Sequence, residues 1–199
     1  MNLYFINLDS RADRLARMVK DWSREMNLYR IPGVKIESEK FGAKGCFQAH
    51  ENAFRKVRKS KTLSIIAEDD IVPTNNFTNK LISCINNLPD DWVMLMVGFN
   101  ISEASVFTPM KGGISKAGSD ITAGHCYIVN PKFYPIYDYV LSLEAGSKHS
   151  NFDMLLLNLQ KKHSVYMCTP ALCYQYESFS DNSNRVVGNT ESTKKYFQE

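Results

Sequence analysis

Leu63-Ser64-Ile65-Ile66-Ala67-Glu68-Asp69-Asp70-Ile71-Val72-Pro73 decides how this chain is read. A short, β-branched apolar run ends in three consecutive carboxylates, the pattern of a buried strand that delivers a charged turn at its end. Adjacent carboxylates repel one another, so a folded protein holds such a triplet beside a compensating cation. A divalent metal with oxygen ligands supplies one, and a metal-bound diphosphate is its usual companion. The plainer alternative is that the acids cap the turn that follows.

Outward from this segment the chain alternates between strand and helix patterns. Leu3 to Leu8 reads as a first strand. Asp9 or Ser10 then caps a helix reaching about Met26, with Leu15, Met18, Val19 and Trp22 as its apolar stripe. A short strand near Leu28 to Ile31, a helix from about Cys46 to Arg58, the strand at Leu63, a helix from Asn75 to Leu88 and a strand from Trp92 to Val97 follow. Residues Asn100 to Ser119 have no clean period and contain Gly112, Gly113 and Gly118, so they read as a mobile loop. Ile121 to Val129 resumes as a strand, Asn130-Pro131 opens a helix, and Ser150 caps another over residues 151–162. Val165 to Thr169 and Leu172 to Tyr176 close the pattern. The alternation predicts one α/β domain over residues 1–176 with a largely parallel sheet, then a polar, partly disordered tail over 177–199.

Bulk properties are compatible with this. The 199 residues are 44% apolar, enough for one sizeable core, and a net charge of +3 welcomes an anionic ligand without marking a dedicated nucleic-acid binder. Five cysteines without a Cys-x-x-Cys pair read as apolar core thiols in a reducing compartment. Cys46 and His50 are four apart and can share a helix face, but no second ligand pair follows to complete a structural zinc site. The amino-terminal segment has no signal-peptide pattern and no run of 18 apolar residues occurs, which predicts a cytoplasmic chain without a membrane span.

Six segments in order resemble glycosyltransferase family 25, which includes bacterial lipooligosaccharide galactosyltransferases and collagen galactosyltransferases. They are Ile6-Asn7-Leu8-Asp9-Ser10-Arg11-Ala12-Asp13-Arg14, Gly45-Cys46-Phe47-Gln48-Ala49-His50, the Ile65 to Ile71 strand with its acids, Ala123 to Val129, Phe152-Asp153, and Pro170, Gln175 and Ser180-Asp181. Ala49 stands where that family usually has serine, and His125 where a small residue is common. The resemblance implies a GT-A-like fold and a nucleotide-sugar donor, most simply a UDP-sugar. It further implies a divalent cation, Mn2+ or Mg2+, and inverting transfer of a hexose to a hydroxyl of a glycan such as lipooligosaccharide.

Combining residue chemistry with the resemblance assigns roles. Asp70 is the first-choice metal ligand, Asp69 ligates or orients, and Glu68 serves the ribose or supports the metal ligands from behind. Asn7, Asp9, Arg11 and Arg14 lie where open α/β sheets bind ligands; the amide or carboxylate suits a base or ribose and an arginine fork suits phosphate. His50 belongs to the donor pocket unless it is a hydrogen-bonded core histidine. Gly124 and His125 sit at a sheet edge near sugar or metal. Inverting transfer needs a carboxylate to deprotonate the acceptor, for which Asp153 leads and Asp181 follows. The basic stretch Arg55 to Lys61 and the first helix's Arg11, Arg14, Arg17, Lys20 and Arg24 suit an anionic acceptor, which keeps a hydroxylated base in DNA as an alternative. A nucleotide-sugar-binding protein without turnover is the non-enzymatic reading. A nucleotidyltransferase lacks support, since neither a phosphate-binding Gly-x-x-x-x-Gly-Lys loop nor a second placed acidic pair is seen.

Overall fold

The structure, a computed structural model, describes residues 1–36, 43–60, 62–146, 151–181 and 185–187. Its first strand, β1 (Asn2–Asn7), runs parallel to both β2 (Asn27–Pro32) and β3 (Ser64–Glu68). Helix α1 (Ala12–Trp22) joins β1 to β2, and α2 (Ala43–Ser60) lies between β2 and β3 in the chain. The remaining elements are β4 (Ile71–Pro73), α3 (Phe77–Asn86), β5 (Met94–Asn100), β6 (Val106–Pro109), β7 (Ile114–Ser119), β8 (Thr122–Val129), a single 3-10 turn (Pro131–Phe133), α4 (Tyr134–Ala145), α5 (Phe152–Lys162), β9 (Val165–Cys168), β10 (Cys173–Gln175), β11 (Ser178–Ser180) and β12 (Arg185–Val187).

Eight strands form one sheet in the order β2-β1-β3-β8-β5-β9-β7-β6. Strand alternation sends successive side chains to opposite faces and so builds two cores. Leu3, Phe5, Ile65 and Ala67 pack with Met18 and Trp22 of α1 and Phe77 and Leu81 of α3. On the other face Ile66, Met94, Met96 and Tyr127 meet Phe54 of α2, Tyr137 of α4 and Leu155 and Leu159 of α5. This is the expected α/β architecture with helices on both faces. The sheet is mixed, because β8 lies antiparallel between β3 and β5 while β5 and β9 are parallel. Among the described residues, no helix is long and apolar enough to cross a membrane.

Several local expectations change. Residues 100–119 contain the β6–β7 hairpin, with β7 paired to β9. Its glycines are turn chemistry: Gly112 and Gly113 take φ of 81° and 75°, a region open to residues without a Cβ. Helix α1 starts at Ala12 with Arg11 at its N-cap and no side-chain cap, so neither Asp9 nor Ser10 caps it. Its buried line is Arg14, Met18 and Trp22, while Val19 is exposed. Helix α5 is capped by Asn151, whose Oδ1 accepts from the Asp153 N–H at 2.8 Å; Ser150 lies outside the described residues. In the segment read as a polar tail, β11 pairs with β12, and residues 188–199 lie outside the described residues.

Candidate active site

Strand β1 has β2 on one side and β3 on the other, so the chain reverses its direction of progress across the sheet at β1. Such a switch point leaves a crevice beyond the carboxyl ends of the strands. A cavity of about 320 Å³ occupies that place, with Ile6 and Leu8 after β1, Gly33 and Val34 after β2 and Glu68 to Asp70 after β3. Cys46 and His50 of α2 and Ser180, Asp181 and Arg185 of the β11–β12 hairpin complete its wall.

On one side of the cavity the carboxylate oxygens of Asp69 and Asp70 are all engaged, while Arg14 Nε has no hydrogen-bond partner among the described residues. Arg14 reaches from α1 and donates to Asp69 Oδ1 at 2.7 Å, with Asp70 Oδ2 3.2 Å from the same nitrogen. Asn7 Nδ2 donates to Asp69 Oδ2 at 2.7 Å and to the Arg11 carbonyl at 3.0 Å, while Asn7 Oδ1 accepts from Arg30 at 2.8 Å. Gln175 Nε2 donates to both Asp70 Oδ1 and Glu68 Oε2, at 3.0 Å each. Every carboxylate oxygen of Asp69 and Asp70 therefore already faces a protein donor. The compensating cation of the acidic triplet is a guanidinium. A Mn2+ or Mg2+ ion would have to compete with Arg14, Asn7 and Gln175 for these oxygens, so Asp70 and Asp69 as arranged do not fit the metal-ligand role read from sequence. Burial, and then the neighbouring Glu68 charge, pushes Asp70 up to about 7. Burial with Asp69 and Asp153 nearby pushes Glu68 up to about 7 as well. Below about pH 7, protons on these two carboxyls add to the countercharge from Arg14.

The hairpin is tied to the same arginines. Arg14 donates to Ser178 Oγ at 2.8 Å and to the Phe179 carbonyl at 2.7 Å. Arg11 donates to that carbonyl at 2.9 Å and to Asp181 Oδ2 at 2.8 Å, and its other edge holds Asp13. That pairing pulls Asp13 down to about 2.

The opposite side is organised around His50. Its ring lies flat on Phe152, with centroids 3.7 Å apart and 4° between planes. Nδ1 is 3.2 Å from the Tyr127 hydroxyl, which Tyr137 also contacts. Nε2 points toward Glu68 Oε1 at 3.5 Å, beyond a good hydrogen bond, and has no hydrogen-bond partner among the described residues. Burial pushes His50 down to about 3, so the imidazole is neutral at ordinary pH. The ligating atoms of Cys46, His50 and Glu68 lie within 4.8 Å of one another.

Other residues singled out by sequence fall elsewhere. Asp9 is exposed and paired with Arg30, off the cavity wall. Asn7 is buried behind the wall and positions Asp69. Gly124 packs so closely on Leu156 that a Cβ would lie 2.8 Å from its Cδ1. His125 is buried beside Gly98 and Cys173, outside the cavity lining, with burial pushing it down to about 4. Asp153 also lies outside the lining. Its Oδ1 accepts from the Ala123 N–H at 2.8 Å and holds that alanine at φ 46°, a strained backbone position. Asp181 does reach the cavity. Gln175 stands out in the sequence only through the family resemblance, and its bridging amide, Arg30 and the Phe179 carbonyl carry no local sequence signal. At the basic end of α2, Arg55 pairs with Glu51 and Arg58 with Asp138, while Lys61 lies outside the described residues.

No protein-family model matches the chain, and no curated protein sequence matches it. Among solved structures it is similar to A197 from STIV, at 12% identity and a TM-score of 0.51 over 95% of this chain and 94% of that one. It is also similar to a glycosyltransferase involved in the glycosylation of the major capsid of PBCV-1 (14% identity, TM-score 0.47, 81% and 76% covered). A third similarity is to the UTP-bound UGPase from Acinetobacter baumannii (10%, 0.46, 98% and 77%). The likeness to A197 is a likeness of fold.

Proposed function

We propose that this chain is a nucleotide-sugar-dependent glycosyltransferase that moves a hexose, most simply from a UDP-sugar, to a hydroxyl acceptor. The observation that carries the reading is the cavity at the β1/β3 switch point, where Arg11 and Arg14 stand beside the acids that end β3. A diphosphate needs forked cationic donors, and a ribose or hexose needs carboxylates and amides as hydrogen-bond acceptors and donors. The ordered resemblance to glycosyltransferase family 25 supports the same reading, including its inverting course and its glycan acceptor such as lipooligosaccharide.

Within it, Arg11 and Arg14 bind the diphosphate with N–H groups that the Phe179 carbonyl and the Ser178 hydroxyl accept from in this structure. Glu68 faces the sugar or ribose. A carboxylate takes the acceptor proton, and Asp181 is the one already on the wall. Asp153, the first choice from sequence, has one oxygen committed to Ala123. Asp69 and Asp70, with every oxygen engaged by protein donors, do not hold the divalent cation that the resemblance implies.

The test is calorimetry and thermal stabilisation with a panel of nucleoside diphosphates and their sugars, with and without Mn2+. Product analysis follows with glycan acceptors and with DNA carrying hydroxylated bases. Saturable binding of one nucleotide sugar and transfer to one acceptor class is expected. Donor binding without transfer to any acceptor would make the chain a binding protein, and absence of binding across the panel would sink the reading. With the donor known, Asp181→Asn and Asp153→Asn separate the two carboxylates. Loss of about 100-fold or more in turnover at unchanged donor affinity identifies the base.

A further inference from the structure

The geometry points to a transition-metal site formed by Cys46, His50 and Glu68, selective for Zn2+ over Mn2+ or Mg2+ and with one coordination position facing the cavity. Three independent observations converge on it. The first is chemical placement. Cys46 and His50, one helical turn apart on α2, and Glu68, at the end of β3, bring a sulfur, a nitrogen and an oxygen within 4.8 Å of one another. Tetrahedral zinc at its usual bond lengths needs ligand separations of roughly 3.3–3.8 Å, an adjustment within reach of small side-chain rotations.

The second observation is an orphan. His50 is 0% exposed, and its Nε2 has no hydrogen-bond partner among the described residues. A buried ring nitrogen left in that state is costly unless something occupies the space in front of it. What lies in front is Glu68 Oε1, too distant for a good hydrogen bond and well placed to share an ion. Gln175 engages the other oxygen of Glu68, so Oε1 is the atom directed at the ion.

The third is the support around the ligands. A histidine that binds metal through one nitrogen is normally oriented through the other. Here Tyr127 sits at Nδ1 and Phe152 fixes the plane of the ring. A thiolate and a carboxylate carry two negative charges and the imidazole none, which matches a dication. The mixed S, N and O donor set favours Zn2+, or Co2+ as its spectroscopic substitute, over the oxygen-seeking Mg2+ and Mn2+. All three residues line the cavity, so a fourth position faces its interior, the arrangement of zinc sites that bind a small ligand rather than of closed structural ones.

The site is independent of the sugar-nucleotide reading, because metal uptake is measured with no donor present. The whole protein is stripped with a chelator and titrated with Zn2+ by calorimetry and with Co2+ by absorption. One equivalent is expected, with a thiolate-to-Co2+ charge-transfer band in the near ultraviolet. Cys46→Ser should remove the band and weaken Zn2+ at least 10-fold. Tyr127→Phe should keep the band and weaken Zn2+ by about 10-fold through loss of the orienting hydroxyl. Asp69→Asn should change neither stoichiometry nor band. Should Cys46→Ser misfold, the unaltered protein answers instead. Cys84, Cys126, Cys168 and Cys173 are buried, so Zn2+ should slow iodoacetamide alkylation at Cys46, located by peptide mass. No band in the wild-type protein, a band that survives in Cys46→Ser, or alkylation of Cys46 indifferent to Zn2+ would overturn the assignment.

Discussion

The two walls of the cavity treat buried polarity in opposite ways. On the Arg14 wall, Asp69 and Asp70 are nearly sealed from solvent, yet each of their oxygens meets a donor from Asn7, Arg14 or Gln175. On the His50 wall a fully buried ring nitrogen faces a carboxylate at 3.5 Å, too far for a good hydrogen bond, and has no partner among the described residues. Acids whose every oxygen is engaged resist change and work as a scaffold, even though Arg14 Nε stays without a hydrogen-bond partner among the described residues. An incomplete network has spare bonding capacity, and that capacity is where an exogenous group gains most. The acidic triplet thus divides its work, with Asp69 and Asp70 turned to the scaffold and Glu68 shared with the open wall.

The sharpest way to break this contrast is Arg14→Ala. It leaves buried Asp69 without its cationic partner, and breaking one side of a buried pair costs about 3–5 kcal/mol. Urea unfolding should show a destabilisation of that order; a variant as stable as wild type would mean that Arg14 serves ligand alone. The next probe is pH. Asp70 is raised in the folded state to about 7 from an ordinary value near 3.8. The folded protein keeps a proton that the unfolded chain releases, so this contribution is full below pH 4, declines as pH rises toward 7 and is gone above it. Each unit of that shift is worth about 1.4 kcal/mol at most. In metal-free protein Asp70→Asn should flatten the fall in stability between pH 4 and 7, and an unchanged slope would remove Asp70 from the account.

Asn7→Ala removes one donor to Asp69 and one acceptor for Arg30, both in buried or half-buried surroundings. A loss of about 1–3 kcal/mol in the same unfolding experiment is expected. The smallest effect belongs to Asp181→Ala. Its pair with Arg11 is partly exposed, and pairs of that kind are worth about 0–1 kcal/mol. Its signature should be faster amide exchange in residues 178–180, with little change in overall stability.

The alternation of strands and helices was legible because each apolar segment has its own period, and the acid triplet after β3 marked the edge where the cavity lies. What escaped reading depends on partners distant in the chain. Arg14 occupies a position that an apolar stripe would give to a hydrophobic residue, and only the fold shows that Asp69 is waiting there, 55 residues away. Cys46 and His50 lack a second ligand pair in the sequence, because the group that joins them is a single glutamate from another element. Gly124 matches the resembling segment and His125 departs from it, yet antiparallel β8 turns both into its packed interior. The glycines of residues 112–118 looked like a loop because turn residues outnumber the short strands around them.

Gln175 carries a consequence for how the site comes into being. Its amide reaches back 105 and 107 residues to Asp70 and Glu68, and β10 clips β4 beside it. During synthesis the acids emerge with β3 long before this strand exists. Until residue 175 has left the ribosome, Glu68 lacks its amide partner and Asp70 depends on Arg14 alone among the donors described here. The acidic turn is therefore assembled late. Long-range closure of this kind slows folding, and a chaperone or ligand that shields the turn in that interval would act on the nascent chain rather than on the finished protein.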